Sequence, residues 1–292
     1  MRLEADRLDP ASSAFGRLGC VGAIPMFQPD SHEPISFFLR EAGSPVGSDA
    51  VRQLDFELSS RGDRVPGRLL LPAHRRTPLP LILAQHGVGG AKDADYMDAV
   101  CLPWVRRGAA VASIDFPLHG KRASPKLGER ILSLFETRSD LSRFEAELWT
   151  GFVQQGVIDL RRTLDAVAKL KEIDAGRVAY AGFSLGTILG IPFCAEDERI
   201  KAAALAIGGG GVGPVASDPV GHIPRLAPRP VLFVNATRDE TVPRESAEAL
   251  HAAARNPKEV LWFDSTHSEL PGAALKAMWR FLERHLEIQG DA

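Results

Sequence analysis

The stretch Gly182-Phe183-Ser184-Leu185-Gly186 decides how this chain of 292 residues folds. It stands where an apolar run from Arg177 to Gly182 meets a segment with the pattern of a helix. Glycines two positions before and two positions after a serine allow a sharp turn between a buried strand and a helix. Such a turn projects the serine hydroxyl above the sheet, beside the unpaired N–H groups of the helix N-terminus. The pattern therefore predicts a nucleophile elbow at Ser184.

Three further strand ends carry groups that suit an attack by this serine. The same pentapeptide also fits an ordinary glycine-rich turn, so the prediction depends on these other stretches. The run from Leu79 to Gly90 reads as a buried strand that enters a His-Gly turn, where backbone N–H groups can face an oxyanion. The run from Val231 to Asp239 ends in a carboxylate, and the run from Val260 to His267 ends in a histidine. The chain order is therefore serine, aspartate, histidine.

That order, with each residue just past a strand, resembles the α/β-hydrolase superfamily over about Leu54 to Leu286. Asp115-Phe-Pro-Leu-His119-Gly120, together with His86-Gly87, is similar to the dienelactone-hydrolase and acyl-peptidase-like branch of serine esterases. Dienelactone hydrolases proper carry a cysteine nucleophile, so lactone specificity is not expected with Ser184. The resemblance implies an α/β-hydrolase fold: a mostly parallel central sheet with helices on both faces, an antiparallel N-terminal hairpin and a helical lid insertion.

The expected catalytic roles follow from this chemistry. Ser184 attacks an acyl carbonyl after His267 takes its proton, and Asp239 holds the imidazole in the required tautomer. His251 and His285 compete for the role of base, but both fall within helical patterns rather than after a strand. Glu240 and Asp264 compete with Asp239 for the acid, and they are disfavoured because Asp239 follows the strand and precedes Thr-Val-Pro, similar to the acid loop of the superfamily.

Other residues of the predicted site come from the turns themselves. The oxyanion hole is expected to use the backbone N–H groups of Leu185 and Val88. His86 and His119 both follow strands, where histidines either line a pocket for substrate or hydrogen-bond within their own loops. We treat both as candidate substrate-binding residues.

Strands and helices alternate along the chain after an antiparallel hairpin that starts at Gln53. Continuous apolar strands separated by amphipathic helices indicate a parallel sheet covered on both faces. We predict an N-terminal arm over residues 1–50, with a short helix around Ile35 to Glu41, and one α/β domain over residues 51–292. The predicted later helices include Tyr96 to Arg107, Gly151 to Lys171, Leu185 to Cys194, Glu245 to Arg255 and Ala273 to Leu286.

Two segments interrupt this alternation. Lys121 to Leu148 mixes apolar and charged residues, which predicts one or two amphipathic helices that serve either as a lid or as a plain surface insertion. Gly208 to Arg225 is rich in glycine and proline and is predicted as a loop that forms a second wall of the pocket. No Gly-Lys-Ser/Thr follows its glycine run, so a phosphate-binding loop is not expected.

Composition narrows the class of partner. A formal net charge of -2 gives no general attraction to nucleic acid or to an anionic membrane surface. The first residues lack the apolar core of a signal peptide, and no stretch has the roughly 18 apolar residues of a membrane span. We therefore expect a cytoplasmic protein with no nucleic-acid partner and no stable membrane association. Three widely spaced cysteines suit packing rather than a disulfide framework: Cys20, Cys101 and Cys194.

The sequence thus predicts a carboxylesterase-type serine hydrolase that acts on a small-molecule ester with a short to medium acyl chain. No metal or nucleotide motif has the required ligand spacing, so no cofactor is expected. Two alternatives stay open: the same triad acting on amides or thioesters, as in acylaminoacyl peptidases and thioesterases, and a non-catalytic protein that uses this fold to bind a ligand. The arm would dock on its own chain or on a neighbouring copy, which leaves a homo-oligomer open.

Overall fold

The computed structural model describes residues 26–45, 49–74, 78–137 and 141–288. Within these ranges, nine strands form one mixed sheet in the order β1-β2-β3-β5-β4-β6-β7-β8-β9. The strands are Phe37–Gly43 (β1), Val51–Ser60 (β2), Asp63–Pro72 (β3), Leu79–Gln85 (β4), Ala110–Ile114 (β5), Ile173–Phe183 (β6), Ile200–Ala206 (β7), Val231–Ala236 (β8) and Lys258–Phe263 (β9).

The first three strands are antiparallel, and β2 with β3 forms the hairpin predicted from the sequence. β2 and β3 pair from Val51 with Pro72 to Ser60 with Asp63. Arg61 and Gly62 connect them, both with positive φ (52° and 77°), and such a two-residue turn matches the twist of a hairpin. β3 also pairs antiparallel with β5, and from β5 onward to β9 each neighbouring pair is parallel.

Seven α-helices of the described chain surround this sheet. They are Asp95–Arg106 (α1), Pro125–Thr137 (α2), Arg143–Val167 (α3), Leu185–Glu196 (α4), Pro219–His222 (α5), Arg244–Ala253 (α6) and Gly272–His285 (α7). Every residue of β4 and β5 is buried, because helices cover both faces. α3, α4 and α6 contribute to the core on one face, while Trp104 of α1 and Trp279 of α7 stack on the other with ring centroids 6.4 Å apart.

One predicted element is wrong. Ile35 to Glu41 was expected to be helical, but Phe37–Gly43 forms the edge strand β1, paired antiparallel with β2. Mixed apolar and polar side chains suit either state at a solvent-exposed edge, and pairing with β2 decides the outcome. The first 25 residues of the predicted arm lie outside the described residues, and the division into an arm and a domain stays a prediction.

Two α-helices lie among the described residues between β5 and β6. α2 lies within the predicted insertion Lys121 to Leu148, of which residues 138–140 lie outside the described chain. The next helix was predicted to begin at Gly151, but α3 begins eight residues earlier at Arg143. Ser142 and Glu145 cap its N-terminus reciprocally, a capping box that satisfies the first free N–H groups of the helix.

None of the helices in the described ranges has the length and apolarity needed to cross a membrane.

Candidate active site

Ser184 occupies a strained turn between β6 and α4. Its φ of 52° lies in the left-handed region that side chains other than glycine rarely adopt. The neighbouring glycines explain how the chain makes this turn: a Cβ on Gly182 would lie 2.5 Å from the carbonyl oxygen of Gly186, and a Cβ on Gly186 would lie 2.6 Å from that of Gln85. The turn predicted from the pentapeptide is therefore present, and both glycines are required by close backbone approach.

The structure brings the three predicted catalytic side chains into one hydrogen-bonded chain. His267 Nε2 lies 3.0 Å from Ser184 Oγ. His267 Nδ1 lies 2.8 Å from Asp239 Oδ2 and 2.9 Å from Oδ1. With Nδ1 protonated and donating to the carboxylate, Nε2 is free to accept the proton of the serine hydroxyl. Ser184 is 8% exposed, so the nucleophile is sheltered but accessible.

Asp239 is held in place by its own loop. Its Oδ1 accepts hydrogen bonds from the backbone N–H groups of Thr241 (2.9 Å) and Val242 (2.8 Å). The two competing acids point to other surroundings: Glu240 is exposed, and Asp264 forms an exposed ion pair with Arg238 at 2.8 Å. The carboxylate that reaches His267 is therefore the one selected from the sequence.

The two backbone N–H groups predicted for the oxyanion hole belong to Leu185 and Val88, and their role stays a prediction. Leu185 is the first residue of α4, where a helix leaves its N–H groups without an intrahelical acceptor. Val88 belongs to the oxyanion loop, which we define as residues 86–90. Gly87 of this loop lies against the nucleophile, since a Cβ on it would be 3.2 Å from Ser184 Cβ.

Tyr96 fixes the oxyanion loop from outside and was not identified from the sequence. Its hydroxyl oxygen accepts a 2.9 Å hydrogen bond from the Gly87 N–H. The hydroxyl also fills the space beside Gly90, where a Cβ would lie 2.6 Å from it. Tyr96 lies in the first turn of α1, nine residues after Gly87, and nothing in the local pattern distinguishes it from a surface tyrosine.

His86 supports the loop rather than facing a substrate. The side chain has no exposed surface. Its Nδ1 lies 2.8 Å from the Gly87 carbonyl oxygen, and its Nε2 accepts the Phe116 N–H at 3.2 Å. Burial lowers the pKa of His86 to about 4, so the ring is neutral at pH 7. Because both ring nitrogens are occupied by backbone groups, the structure does not support the predicted contact of His86 with substrate.

Asp115 joins the loops that follow β4 and β5. It is fully buried, and its two carboxylate oxygens accept the backbone N–H groups of Lys92 (2.9 Å) and Lys121 (3.0 Å). The Lys92 ammonium lies 3.4 Å from the same carboxylate. A Cβ on Gly120 would lie only 2.2 Å from Asp115 Oδ1. Asp115 therefore sets the relative position of the oxyanion loop and the His119 turn.

His119 lies at the wall of a cavity of about 170 Å³ that Val88 also lines. Its Nδ1 lies 2.8 Å from the Pro117 carbonyl oxygen, so Nδ1 carries the proton and Nε2 offers a lone pair. Burial is the main cause that lowers the pKa of His119 and favours this neutral form. The structure thus places His119 near the site, and its contact with substrate stays a prediction.

The remaining sequence candidates lie elsewhere. His251 and His285 lie within helices α6 and α7, and His267 is the histidine that reaches Asp239 and Ser184. The segment Gly208 to Arg225 contains α5, and Gly208 lines a cavity of only about 20 Å³ beside Asp239 rather than the one that His119 lines.

Cys101 and Cys194 are buried and free, and Cys20 lies outside the described residues. In the described part of the chain, no group of three or more His, Cys, Asp or Glu side chains has the arrangement of a metal site.

A comparison with protein families decides the identity of the chain. The model of the acetyl xylan esterase (AXE1) family matches residues 33–207, which is more than half of the sequence. The chain belongs to the acetyl xylan esterase family. The matched span contains Ser184, the oxyanion loop and His119, whereas Asp239 and His267 lie beyond it. A search of the curated proteins found no match.

Solved structures of esterases share the fold. A cold-adapted esterase from an Arctic intertidal metagenomic library is 25% identical, with a TM-score of 0.65, and the match covers 81% of this chain and 94% of that one. An acetyl xylan esterase from Paenibacillus sp. is 21% identical, with a TM-score of 0.70 and coverage of 87% and 90%. Acetyl xylan esterase 1 from Thermoanaerobacterium sp. is 16% identical, with a TM-score of 0.67 and coverage of 91% and 92%.

These findings confirm the superfamily, the fold class and the class of activity predicted from the sequence. This member of the acetyl xylan esterase family is a carboxylesterase-type hydrolase with an α/β-hydrolase fold.

Proposed function

We propose that this family member hydrolyses carboxylic esters of short to medium acyl chains through a triad of Ser184, His267 and Asp239. The observation that carries the proposal is the alignment of one imidazole between the two partners, with Nε2 3.0 Å from Ser184 Oγ and Nδ1 2.8 Å from Asp239 Oδ2. A nucleophile, a base within hydrogen-bond reach and a group that orients the base are the parts that covalent acyl transfer requires.

The first half of the proposed reaction forms an acyl-enzyme. Ser184 Oγ attacks the ester carbonyl carbon while His267 Nε2 takes the hydroxyl proton, and the carbonyl oxygen becomes an oxyanion. The backbone N–H groups of Leu185 and Val88 stabilise that oxyanion. The tetrahedral intermediate then collapses, the bond to the alcohol oxygen breaks, and His267 returns the proton to the leaving alcohol.

The second half releases the acid. A water molecule takes the place of the alcohol, loses a proton to His267 Nε2 and attacks the acyl carbon. Collapse of the second intermediate breaks the bond to Ser184 Oγ, which regains the proton from His267. The carboxylate of Asp239 stabilises the imidazolium in both halves, and removal of one oxyanion donor typically costs about 2.7–4 kcal/mol of transition-state stabilisation.

The same triad would also cleave thioesters or amides, because only the pocket distinguishes these substrates. The family name and the names of two structural relatives make acetyl groups on xylan a natural first substrate to test. The non-catalytic alternative predicts no activated nucleophile at Ser184.

The test is hydrolysis of p-nitrophenyl esters from acetate to palmitate and of acetylated xylan, with Ser184→Ala as the background control. We expect Ser184-dependent turnover that is highest at short or medium chain length. A fluorophosphonate probe should label Ser184 in the wild-type protein and not in the variant. Absence of both turnover and labelling would contradict the esterase proposal and favour a binding function, while labelling without ester turnover would favour amides or thioesters.

The partner proposed from the site is a small-molecule ester. A cytoplasmic location, no nucleic-acid partner and no stable membrane association stay proposals that derive from composition alone.

A further inference from the structure

A cavity of about 170 Å³ lies between the oxyanion loop and helix α2. Val88 and its glycine neighbours form one side, and His119 with Leu118 forms another. Gly128, Ile131 and Leu132 of α2 close the third side. The cavity therefore depends on the insertion between β5 and β6, not on the strands that carry the triad.

The order of the sheet separates this cavity from the base. His119 follows β5, Val88 follows β4, and Ser184 follows β6, while His267 follows β9 at the far edge. His267 Nε2 must give its proton to the alcohol oxygen, so the alcohol half of the ester lies on the His267 side of the serine. The cavity adjoins the oxyanion donor Val88 on the opposite side of the serine.

We infer that this cavity receives the acyl group of the ester and that α2 sets the longest acyl chain the enzyme accepts. The inference rests on the proposed function, because it assumes a carbonyl carbon at Ser184 Oγ and an oxyanion at Val88.

The lining of the cavity fits an uncharged, mainly apolar acyl chain. Among the described residues that line it, His119 alone has a polar side chain. None of the described residues that line the cavity carries a carboxylate or ammonium group, so a charged acyl chain would lose its hydration without a partner. His119 offers one neutral acceptor at the wall, beside Phe152, whose ring centroid lies 6.4 Å away.

The size of the cavity exceeds what an acetyl group needs. Its volume of about 170 Å³ is several times the roughly 30 Å³ that one water molecule occupies in the liquid. A methyl group is close to a water molecule in size, so the cavity has room for a chain several carbons long. We therefore place the preferred acyl chain beyond acetate, near butanoate or hexanoate.

Gly128 offers a direct way to fill the cavity without disturbing the core. A Cβ on Gly128 would meet no atom closer than the Leu118 carbonyl oxygen at 4.0 Å, so a larger side chain extends into open space. Gly151 on α3 is the matched control: it is also a helical glycine, a Cβ on it meets nothing within 4 Å, and it does not line the cavity. The pair Gly128→Leu and Gly151→Leu thus compares a side chain added at the cavity with one added at an exposed helix surface.

The experiment compares kcat/KM for p-nitrophenyl acetate, butanoate and hexanoate in both variants and in the wild-type enzyme. We expect wild type and Gly151→Leu to prefer butanoate or hexanoate over acetate. Gly128→Leu should lower the butanoate-to-acetate ratio by roughly tenfold or more, the discrimination that a single methylene gives in an apolar pocket. An unchanged ratio in a folded Gly128→Leu variant, or equal losses on all three esters, would overturn the acyl-pocket inference.

Two further measurements keep the outcome decisive. Circular dichroism shows whether Gly128→Leu is folded. If it is not, Leu132→Trp carries the same test from the rim of the cavity, where Leu132 is 43% exposed. Ser184-dependent hydrolysis by wild type separates the two proposals: its absence overturns the proposed function, whereas its presence with unaltered chain-length preference overturns the acyl pocket alone.

Discussion

The N–H of Gly87 donates a 2.9 Å hydrogen bond to the hydroxyl oxygen of Tyr96, which ties the oxyanion loop to the first turn of α1. Gly87 is buried and packs against Ser184, so this hydrogen bond fixes the peptide that precedes the Val88 donor. Electrostatic stabilisation of an oxyanion depends on donors that are held in position before the reaction. We therefore expect Tyr96 to be a positioning residue that acts through Gly87.

Tyr96→Phe should lower kcat by roughly tenfold while KM changes little. Without the hydroxyl, the Val88 N–H is less well oriented, and this weakens its bond to the oxyanion in the transition state but not the binding of the substrate. Steady-state kinetics on one p-nitrophenyl ester measures both constants. The pH profile should keep the shape of the wild-type profile, since the triad is untouched. Unchanged kcat would show that the hydroxyl contributes to packing alone.

Asp239→Asn should reduce kcat by several orders of magnitude, on the order of 10⁴ as in other serine hydrolases that lose this carboxylate. The amide no longer fixes the protonated Nδ1 of His267 or stabilises the imidazolium. Glu240→Gln changes the adjacent exposed carboxylate and should retain wild-type activity. Single-turnover kinetics of both variants checks the assignment, and comparable losses in the two would argue against Asp239 as the specific partner.

Gly186→Ala should destabilise the protein and abolish activity. The new methyl group would lie 2.6 Å from the Gln85 carbonyl oxygen, and a backbone atom in the middle of the sheet cannot move aside. Gly151→Ala is the matched change at an exposed helical glycine with nothing within 4 Å, and it should stabilise by about 0.5–1 kcal/mol. Thermal unfolding of both variants tests the contrast, and a melting temperature of Gly186→Ala near that of wild type would contradict it.

Stability should fall as the pH drops from about 6.5 toward 4. Burial lowers the pKa of His86 from 6.5 to about 4, so the unfolded chain binds a proton in this range that the folded protein does not. The stabilisation is complete above pH 6.5, and its loss by pH 4 amounts to about 3 kcal/mol for this group. The pKa of His251, which burial also lowers to about 4, contributes with the same sign.

Urea unfolding at a series of pH values measures this dependence. His86→Gln retains a donor and an acceptor for the two backbone partners and should show a shallower decline in unfolding free energy below pH 6.5. Direct titration of the His86 ring by NMR gives the same information if the variant is too unstable. A ring that titrates near pH 6.5 in the folded protein would contradict the prediction.

The sequence allowed the parallel sheet and the elbow to be predicted because both depend on local patterns. Buried strands read as continuous apolar runs, and the runs that begin at Leu79 and Val231 begin where β4 and β8 begin. The edge strand β1 could not be predicted in this way, because its residues are largely exposed and only pairing with β2 makes them a strand. The start of α3 at Arg143 could have been predicted from the sequence, because Ser142 and Glu145 have the spacing of a capping box.

The residues of the site also divide into those that the sequence predicts and those that it does not. Ser184, Asp239 and His267 each follow a strand, so their chain positions place them at the carboxyl ends of the parallel strands. The contact of Tyr96 with Gly87 and the enclosure of His86 depend on how loops pack in three dimensions, and no periodicity or motif encodes them. A histidine that follows a strand, as His86 does, can have an exposed ring or an enclosed one. In the structure the Phe116 N–H donates a hydrogen bond to His86 Nε2, the ring nitrogen that a substrate would need.

The sheet order has a consequence for how members of such a family diverge. The acid and the base depend on β8 and β9, while the wall of the cavity depends on an insertion after β5 near the opposite edge. Substitutions or length changes in that insertion would alter the choice of substrate without displacing the groups that transfer the proton. Selection can therefore change which ester the enzyme hydrolyses while it leaves the triad in place.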